Sequence, residues 1–307
     1  MRGGGRPPGG PTARTARGAD PSNAPGGVLR LRGRTFGPGA HAVMAVVNRT
    51  PDSFYDRGAT FAFDAALDAS AAALRDGADI IDVGGVKAGY GARVDTEEEI
   101  RRVVPFVAEL RRRHPGALIS VDTWRAEVGR ACAEVGVDLI NDTWAGADPD
   151  LARVAAEYDI GLVCSHSGGL APRTDPHRVA YTDVLADVRS TVVGLAERAV
   201  ALGVRPDRVL VDPTHDFGKN TYHSLELTRR LGELAATGWP VLVAVSNKDF
   251  IGETLDLPVA DRAAGTLAVL AVSAWEGARV FRVHDAGAAR TALEAVAALR
   301  GGTPARE

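Results

Sequence analysis

The sequence predicts a single α/β domain folded as a (β/α)8 TIM barrel. Three observations carry that prediction. Short, near-continuous runs of Val, Ile and Leu recur eight times, the kind of strand that is buried on both faces of a parallel sheet. Stretches of helical periodicity alternate with them, and strand–helix alternation calls for right-handed crossovers between parallel neighbours. Eight such repeats fit into about 250–270 residues, the span of this barrel. A doubly wound open sheet is the runner-up. It would bring a nucleotide fingerprint, and no G-x-G-x-x-G follows the first strand.

Residues 1–27, MRGGGRPPGGPTARTARGADPSNAPGG, are rich in Gly, Pro and Arg and show no periodic apolar face. They lack the apolar core of a secretory signal and are expected to be a disordered tail. The domain is expected to occupy 28–300. Its first strand is HAVMAVVN (41–48), and the helical stretch FAFDAALDASAAALRDG leads to the second, ADIIDVGG (78–85). TEEEIRRVVPFVAELRRR precedes LISVDT (118–123), which is followed by LINDTW (139–144) and GLVCSH (161–166). DVLADVRSTVVGLAERAVALG leads to RVLVDP (208–213), then VLVAVS (241–246) and RVFRVHD (279–285). Several helical stretches end in Gly just before the next strand, as a C-cap should. The helix before the last strand, ADRAAGTLAVLAVSAWEGA, is rich in small residues. That suits close helix–helix contact and hence a homodimer, and a tightly packed barrel exterior explains it equally well. The closing GGTPARE (301–307) reads as a second disordered tail.

Composition excludes several classes. Of 307 residues, 45% are hydrophobic and 24% charged, with a net charge of -3, which speaks against a non-specific nucleic-acid binder. Two cysteines, Cys132 and Cys164, cannot make a disulfide framework or a four-cysteine metal site, and sparse cysteine fits a cytoplasmic protein. No apolar run reaches the length of a membrane span.

Every strand ends in a hydrogen-bonding or charged side chain: Asn48, Asp82, Asp122, Asn141, His166, Asp212, Ser246 with Lys248, and Arg282 with His284. A single Asp or Asn there is ordinarily a cap or a turn residue. Eight together converge on one mouth, where barrel active sites lie. Buried Asp and Asn suit a ring carrying N–H donors and acceptors, as guanine-like heterocycles do. Lys248, Arg282 and His284 add positive charge suited to an anionic leaving group. A pyrophosphate needs its charge neutralised, and a divalent metal could share that task. A hydrolytic metal site built from His166, His215, His284 and Asp122 is the rival, without the first-strand His pair such barrels often use. Cys164 reads as a buried structural thiol rather than a nucleophile. Trp124 and Trp144 each follow an Asp-Thr and could stack on a ring or simply pack.

These residues, in this order, resemble the dihydropteroate synthase family. The resemblance covers about residues 40 to 290 and rests on NRTPDSF (48–54), DIIDVGG (79–85), SVDTWRAEV (120–128), LINDTWAG (139–146), DPTHDFGK (212–219), VSNKDFIG (245–252) and FRVHD (281–285). It implies a (β/α)8 barrel in which the amine of p-aminobenzoate displaces pyrophosphate from a dihydropterin-methyl diphosphate, a step of folate biosynthesis. It implies that Asp122, Asn141, Asp212, Phe217 and Lys248 hold the pterin, and that Arg282 and His284 grip the diphosphate. Asn48 would help bind the diphosphate and its Mg2+. Lys248, Asp212 and Arg282 form the implied catalytic set.

The pattern departs from the family in one place above all. After the second strand the family reads GGESTRPG, and this chain reads GGVKAGYG, so Lys87, Ala88, Gly89 and Tyr90 replace Ser, Thr, Arg and Pro. The family Arg closes over the diphosphate and lines the second-substrate pocket. Gly89 can do neither, and Lys87 offers charge without a bidentate fork. SRKSFIG becomes SNKDFIG, so Asn247 replaces an arginine and Asp249 replaces the serine near which the benzoate carboxylate rests. An Asp there caps a helix well and also sets a like charge beside an incoming carboxylate. MHMRG becomes SHSGG (165–169), and GFGFGK becomes THDFGK (214–219), adding His215 and Asp216. The expected function is a dihydropteroate synthase-like transferase with a degraded p-aminobenzoate subsite. Its alternatives are a pterin-binding paralogue without synthase activity, or a transferase using another amine.

Overall fold

The structure, a computed structural model, describes residues 27–48, 59–87, 89, 93–174 and 180–301. Of the NRTPDSF motif only Asn48 lies among them. Ala88, Tyr90 and the two expected tails, Gly27 and Gly301 apart, lie outside the described residues.

Eight parallel strands form one sheet: β3 (Ala42–Asn48), β4 (Ile80–Gly84), β5 (Leu118–Asp122), β6 (Leu139–Asp142), β7 (Gly161–Ser165), β8 (Val209–Asp212), β9 (Leu242–Val243) and β10 (Val280–Val283). Their order is β8-β7-β6-β5-β4-β3-β10-β9. The two edge strands meet through a parallel bridge between Val211 and Val241, where the Val211 N–H donates to the Pro240 carbonyl at 3.0 Å. The ring thus closes as the strand–helix alternation predicts. The run expected as a strand over 241–246 pairs over Leu242–Val243 only.

Helices α1 (Ala59–Arg75), α2 (Thr96–Arg113), α3 (Ala126–Glu134), α4 (Leu151–Glu157), α5 (Val184–Ala201), α6 (Thr221–Arg229), α7 (Leu231–Ala235), α8 (Asp249–Leu255), α9 (Ala263–Trp275) and α10 (Ala286–Leu299) surround it. α2 shows why these segments are helical. The Asp95 carboxylate caps it by accepting the Glu98 N–H at 2.8 Å, Glu97–Glu99 fill the first turn and Arg111–Arg113 the last, all favourable to the helix dipole. Its apolar face buries Val103, Phe106, Val107 and Leu110 against the strands. Among the described residues no helix is long and apolar enough to cross a membrane.

One element went unread in the sequence. β1 (Leu29–Leu31) and β2 (Arg34–Phe36) pair antiparallel across Arg32 and Gly33, both at positive φ. Leu29, Leu31 and Phe36 pack on the barrel's interior layer of Met44, Ile80, Leu118, Leu139 and their neighbours, so the hairpin plugs the N-terminal end. Gly161 gives it room: a Cβ there would lie 2.7 Å from the Leu31 side chain and 2.8 Å from that of Leu139. With that end sealed, polar side chains gather at the other.

Candidate functional site

The parallel register sets Asn48 beside Gly84, Gly84 beside Asp122 and Asp122 beside Asn141 at the C-terminal rim. Gly84 leaves room between its neighbours: a Cβ on it would sit 3.6 Å from Asn48 Oδ1 and 3.8 Å from Asp122 Cβ. Deeper, fully buried Asp82 on β4 accepts Arg282 Nε at 2.6 Å and Asn141 Nδ2 at 3.3 Å. The Arg282 guanidinium reaches on to Asp122, Nη2 to Oδ2 at 2.8 Å, and Thr143 Oγ1 donates to the other Asp122 oxygen at 2.6 Å. Burial pushes the Asp122 carboxyl up, Arg282 pulls it back, and the nearby Asp82 raises it again. Asp82 Oδ1 and Asn141 Oδ1 are buried without a donor.

Across the mouth, Asp212 ends β8, and its Oδ1 accepts the Thr214 N–H at 2.7 Å. Burial pushes its pKa up to about 6, against the Thr214 amide, Lys248, Lys219 and Arg282. Lys248 donates to the His215 carbonyl at 3.0 Å and stands 4.5 Å above the Phe217 ring. Burial lowers its pKa, while Asp216 and Asp212 raise it. Phe217 meets Trp144 edge to face at 5.3 Å. Lys219 is buried, and its ammonium donates to the carbonyls of His166, Thr214 and Phe217 at 2.8–3.1 Å, which fastens the turn after β8.

The remaining strand-end residues spread out. His284 lies at the surface, its Nδ1 3.0 Å from Ser246 Oγ. His166 is buried and turned to α5, with Nε2 2.7 Å from Asp187, and burial together with Lys219 pushes its pKa down to about 4. His215 is buried beneath Phe250 at 5.6 Å and contacts Thr228, and burial lowers its pKa to about 3. Among the described residues no three His, Cys, Asp or Glu side chains converge as a metal site, so the hydrolytic alternative has no ligand set. Cys164 is buried among the outer core residues, where desolvation pushes its thiol well above the usual range. Trp124 lies under the Arg125 guanidinium at 4.5 Å.

Beside the mouth opens a cleft of about 360 Å3, walled by Trp144, Phe217 and Lys248 and by Lys87, Gly89, Asn247, Asp216 and Asp249. Five of the positions where the sequence departs from the family pattern, 87, 89, 216, 247 and 249, therefore line one space. Asp249 is paired with Arg262 at 2.8 Å.

The pterin-binding enzyme family model matches residues 44–284. The inactive dihydropteroate synthase 2 of Mycobacterium tuberculosis is 56% identical over 278 residues, covering 89% of this chain and 87% of that protein. The dihydropteroate synthase of Bacillus subtilis is 38% identical over 245 residues, covering 79% and 83%. The chain belongs to the dihydropteroate synthase family. The crystal structure of the family's Xanthomonas albilineans enzyme in complex with 7,8-dihydropteroate superposes with a TM-score of 0.79 at 33% identity, covering 90% of this chain and 100% of that one.

Against this family frame, the structure brings Asp122, Asn141, Asp212, Phe217, Lys248 and Arg282 around one mouth and sets Asn48 and His284 at its edge. Asp82 was named among the strand ends yet left out of the expected binding set, although it joins Asn141 to Arg282. Thr143 was not singled out at all. A Thr directly after a strand-end Asp signals little until the neighbouring strand is in register.

Proposed function

We propose that this chain binds a dihydropterin-methyl diphosphate in the barrel mouth and does not condense it with p-aminobenzoate. The observation that carries the reading is the pair of donorless buried oxygens, Asp82 Oδ1 and Asn141 Oδ1. A buried acceptor left unmet costs about 1–3 kcal/mol, and the N–H groups of a pterin can relieve it. Asp122 and Asp212 supply further acceptors. Lys248 is the donor for the ring's own acceptors, and Phe217 gives it an apolar wall. Arg282 is anchored through Nε and Nη2, so its remaining edge and His284 are the groups that meet the diphosphate.

Asn48 offers one neutral oxygen beside the space that Gly84 leaves open. That suits Mg2+, which keeps several waters and takes few protein ligands when phosphate oxygens arrive with the substrate. Bound there, the ion would neutralise charge on the diphosphate. Asn48 would hold it, while Arg282 and His284 would orient the same group.

The second half of the proposal rests on the cleft. In the family reaction the arylamine nitrogen bonds to the pterin methylene carbon, the carbon–oxygen bond to diphosphate breaks, and the nitrogen loses a proton. The cleft that would position that amine has Gly89 in place of the closing arginine and Asp249 in place of serine. The 56% identity to proteins named inactive dihydropteroate synthase 2 supports the same reading. Calorimetry with dihydropterin diphosphate and Mg2+, followed by a product assay with p-aminobenzoate, tests both halves. Binding without product is expected. No binding removes the first half, and dihydropteroate formation removes the second.

A homodimer through α9 belongs to this reading. Its outward face carries Ala264, Ala268, Val272 and Trp275, the last 54% exposed. Light scattering should give twice the chain mass, and Val272→Glu should halve it. Both cysteines are free and buried, which supports a cytoplasmic setting.

A further inference from the structure

Asp216 has no part in the pterin contacts proposed above, yet its backbone is held where few side chains go. It sits in the turn between β8 and α6 at φ 68°, with Thr214 at φ 55° and Gly218 at φ 60° on either side. This left-handed region suits glycine, and Asp is among the few other residues that enter it readily, so the turn can present a carboxylate here. The carboxylate is held on both oxygens. Oδ2 accepts the backbone N–H of Asp249 at 2.8 Å and of Phe250 at 3.4 Å, and Oδ1 accepts Ser224 Oγ at 3.0 Å. Asp216 also lines the cleft, together with the paired aromatic rings of Trp144 and Phe217.

We propose that Asp216 sets the ligand class of the cleft, admitting a flat, uncharged arylamine and excluding a carboxylated one. Its carboxylate already takes the two backbone N–H groups that could neutralise an anion on that side. An incoming carboxylate would meet a fixed, half-buried like charge at Asp216, while Asp249 is paired with Arg262. Lys248 and Lys87 also face the cleft and Lys248 attracts the Asp216 carboxylate, so what Asp216 denies an acid is chiefly the pair of backbone N–H groups it occupies. An uncharged ring meets no such barrier and gains the edges and faces of Trp144 and Phe217. Burial raises the Asp216 pKa, and Lys248, Ser224 and the two amides offset part of that rise.

This inference rests on reading the mouth as the pterin site, and the experiment separates the two. Dihydropterin diphosphate with Mg2+ is titrated first, alone. p-Aminobenzamide and p-aminobenzoate are then titrated by calorimetry into the pterin-loaded protein and also into the pterin-free protein. The amide should bind at least about tenfold more tightly than the acid. Asp216→Asn, which keeps an oxygen for the two N–H groups without the charge, should bring the ratio toward one. Asp216→Gly should invert it. If the glycine variant does not fold, the asparagine variant decides. Equal binding in the parent protein, a ratio unmoved in the variants, or no binding of either amine would each overturn the role of Asp216. A pterin that fails to bind removes the function proposed above, and the pterin-free titration still decides on Asp216.

Discussion

Asp212→Asn should make the ligand-free protein more stable while weakening its hold on a pterin. The Asp212 side chain is 1% exposed and accepts the Thr214 N–H at 2.7 Å. Burial raises its pKa from 3.8 to about 6. A folded pKa above the unfolded one means that the native state disfavours the ionised form. The penalty is absent below the unfolded pKa and grows as pH rises through the folded one. For these values it amounts to about 3 kcal/mol at pH 7 and about 1.5 kcal/mol at pH 5. Asparagine keeps an oxygen for Thr214 and carries no charge. The folded pKa already includes the attraction of Lys248 and Lys219, so the net gain should be about 2–3 kcal/mol at pH 7. Urea unfolding at pH 7 and pH 4 reads this, with the gain expected to vanish at the lower pH. Calorimetry should show pterin diphosphate affinity falling by about 30–100-fold, the loss of one charge-assisted contact. A variant less stable than the parent at pH 7, or a gain that does not change with pH, would refute the reasoning.

Arg282→Met removes the cation between Asp82 and Asp122 and should cost about 3–5 kcal/mol at pH 7, read from the urea midpoint. An unchanged midpoint would mean that the guanidinium does not bridge them. Leu31→Ala opens a void beneath the barrel and should cost about 2–4 kcal/mol without altering pterin affinity, since the hairpin lies at the far end. Restoring the family residues together, Lys87→Ser, Ala88→Thr, Gly89→Arg, Tyr90→Pro, Asp216→Gly, Asn247→Arg and Asp249→Ser, should produce measurable dihydropteroate where the parent makes none. Absence of product from a folded variant would count against a pterin-competent mouth.

The barrel was legible because each strand is buried on both faces and so appears as an apolar run. The same cue overstated β9. Val245 is buried without extending the ladder, because apolarity reports burial rather than pairing, and the chain turns away through Asn247 at φ 59°. The β1–β2 hairpin escaped notice because strands of three residues leave only the alternation of Leu29 and Leu31 to read. At the mouth, sequence position tells which end of a strand a residue occupies but not where its side chain turns. The position of Arg282 suits an anion at the rim, but what is not legible in the sequence is that two edges of its guanidinium, Nε and Nη2, are held by carboxylates contributed by other strands. Asp216 stood out as unusual, but the N–H groups that it accepts lie 33 and 34 residues further on, beyond any local pattern.

The two halves of the site depend on different parts of the fold. Asp82, Asp122, Asn141, Asp212 and Arg282 sit on strands, so the register that closes the barrel also fixes their spacing. The cleft is built from turns and from the start of α8, at positions 87, 89, 216, 247 and 249, none of which belongs to the ladder. Substitutions in the cleft can therefore change or abolish the second ligand while leaving the mouth's geometry intact. The reverse does not hold: the carboxylates that would hold a pterin are also the ones whose burial costs stability. Binding and transfer are in that sense physically separable on this scaffold, and a chain that retains the first without the second needs no change to the barrel itself.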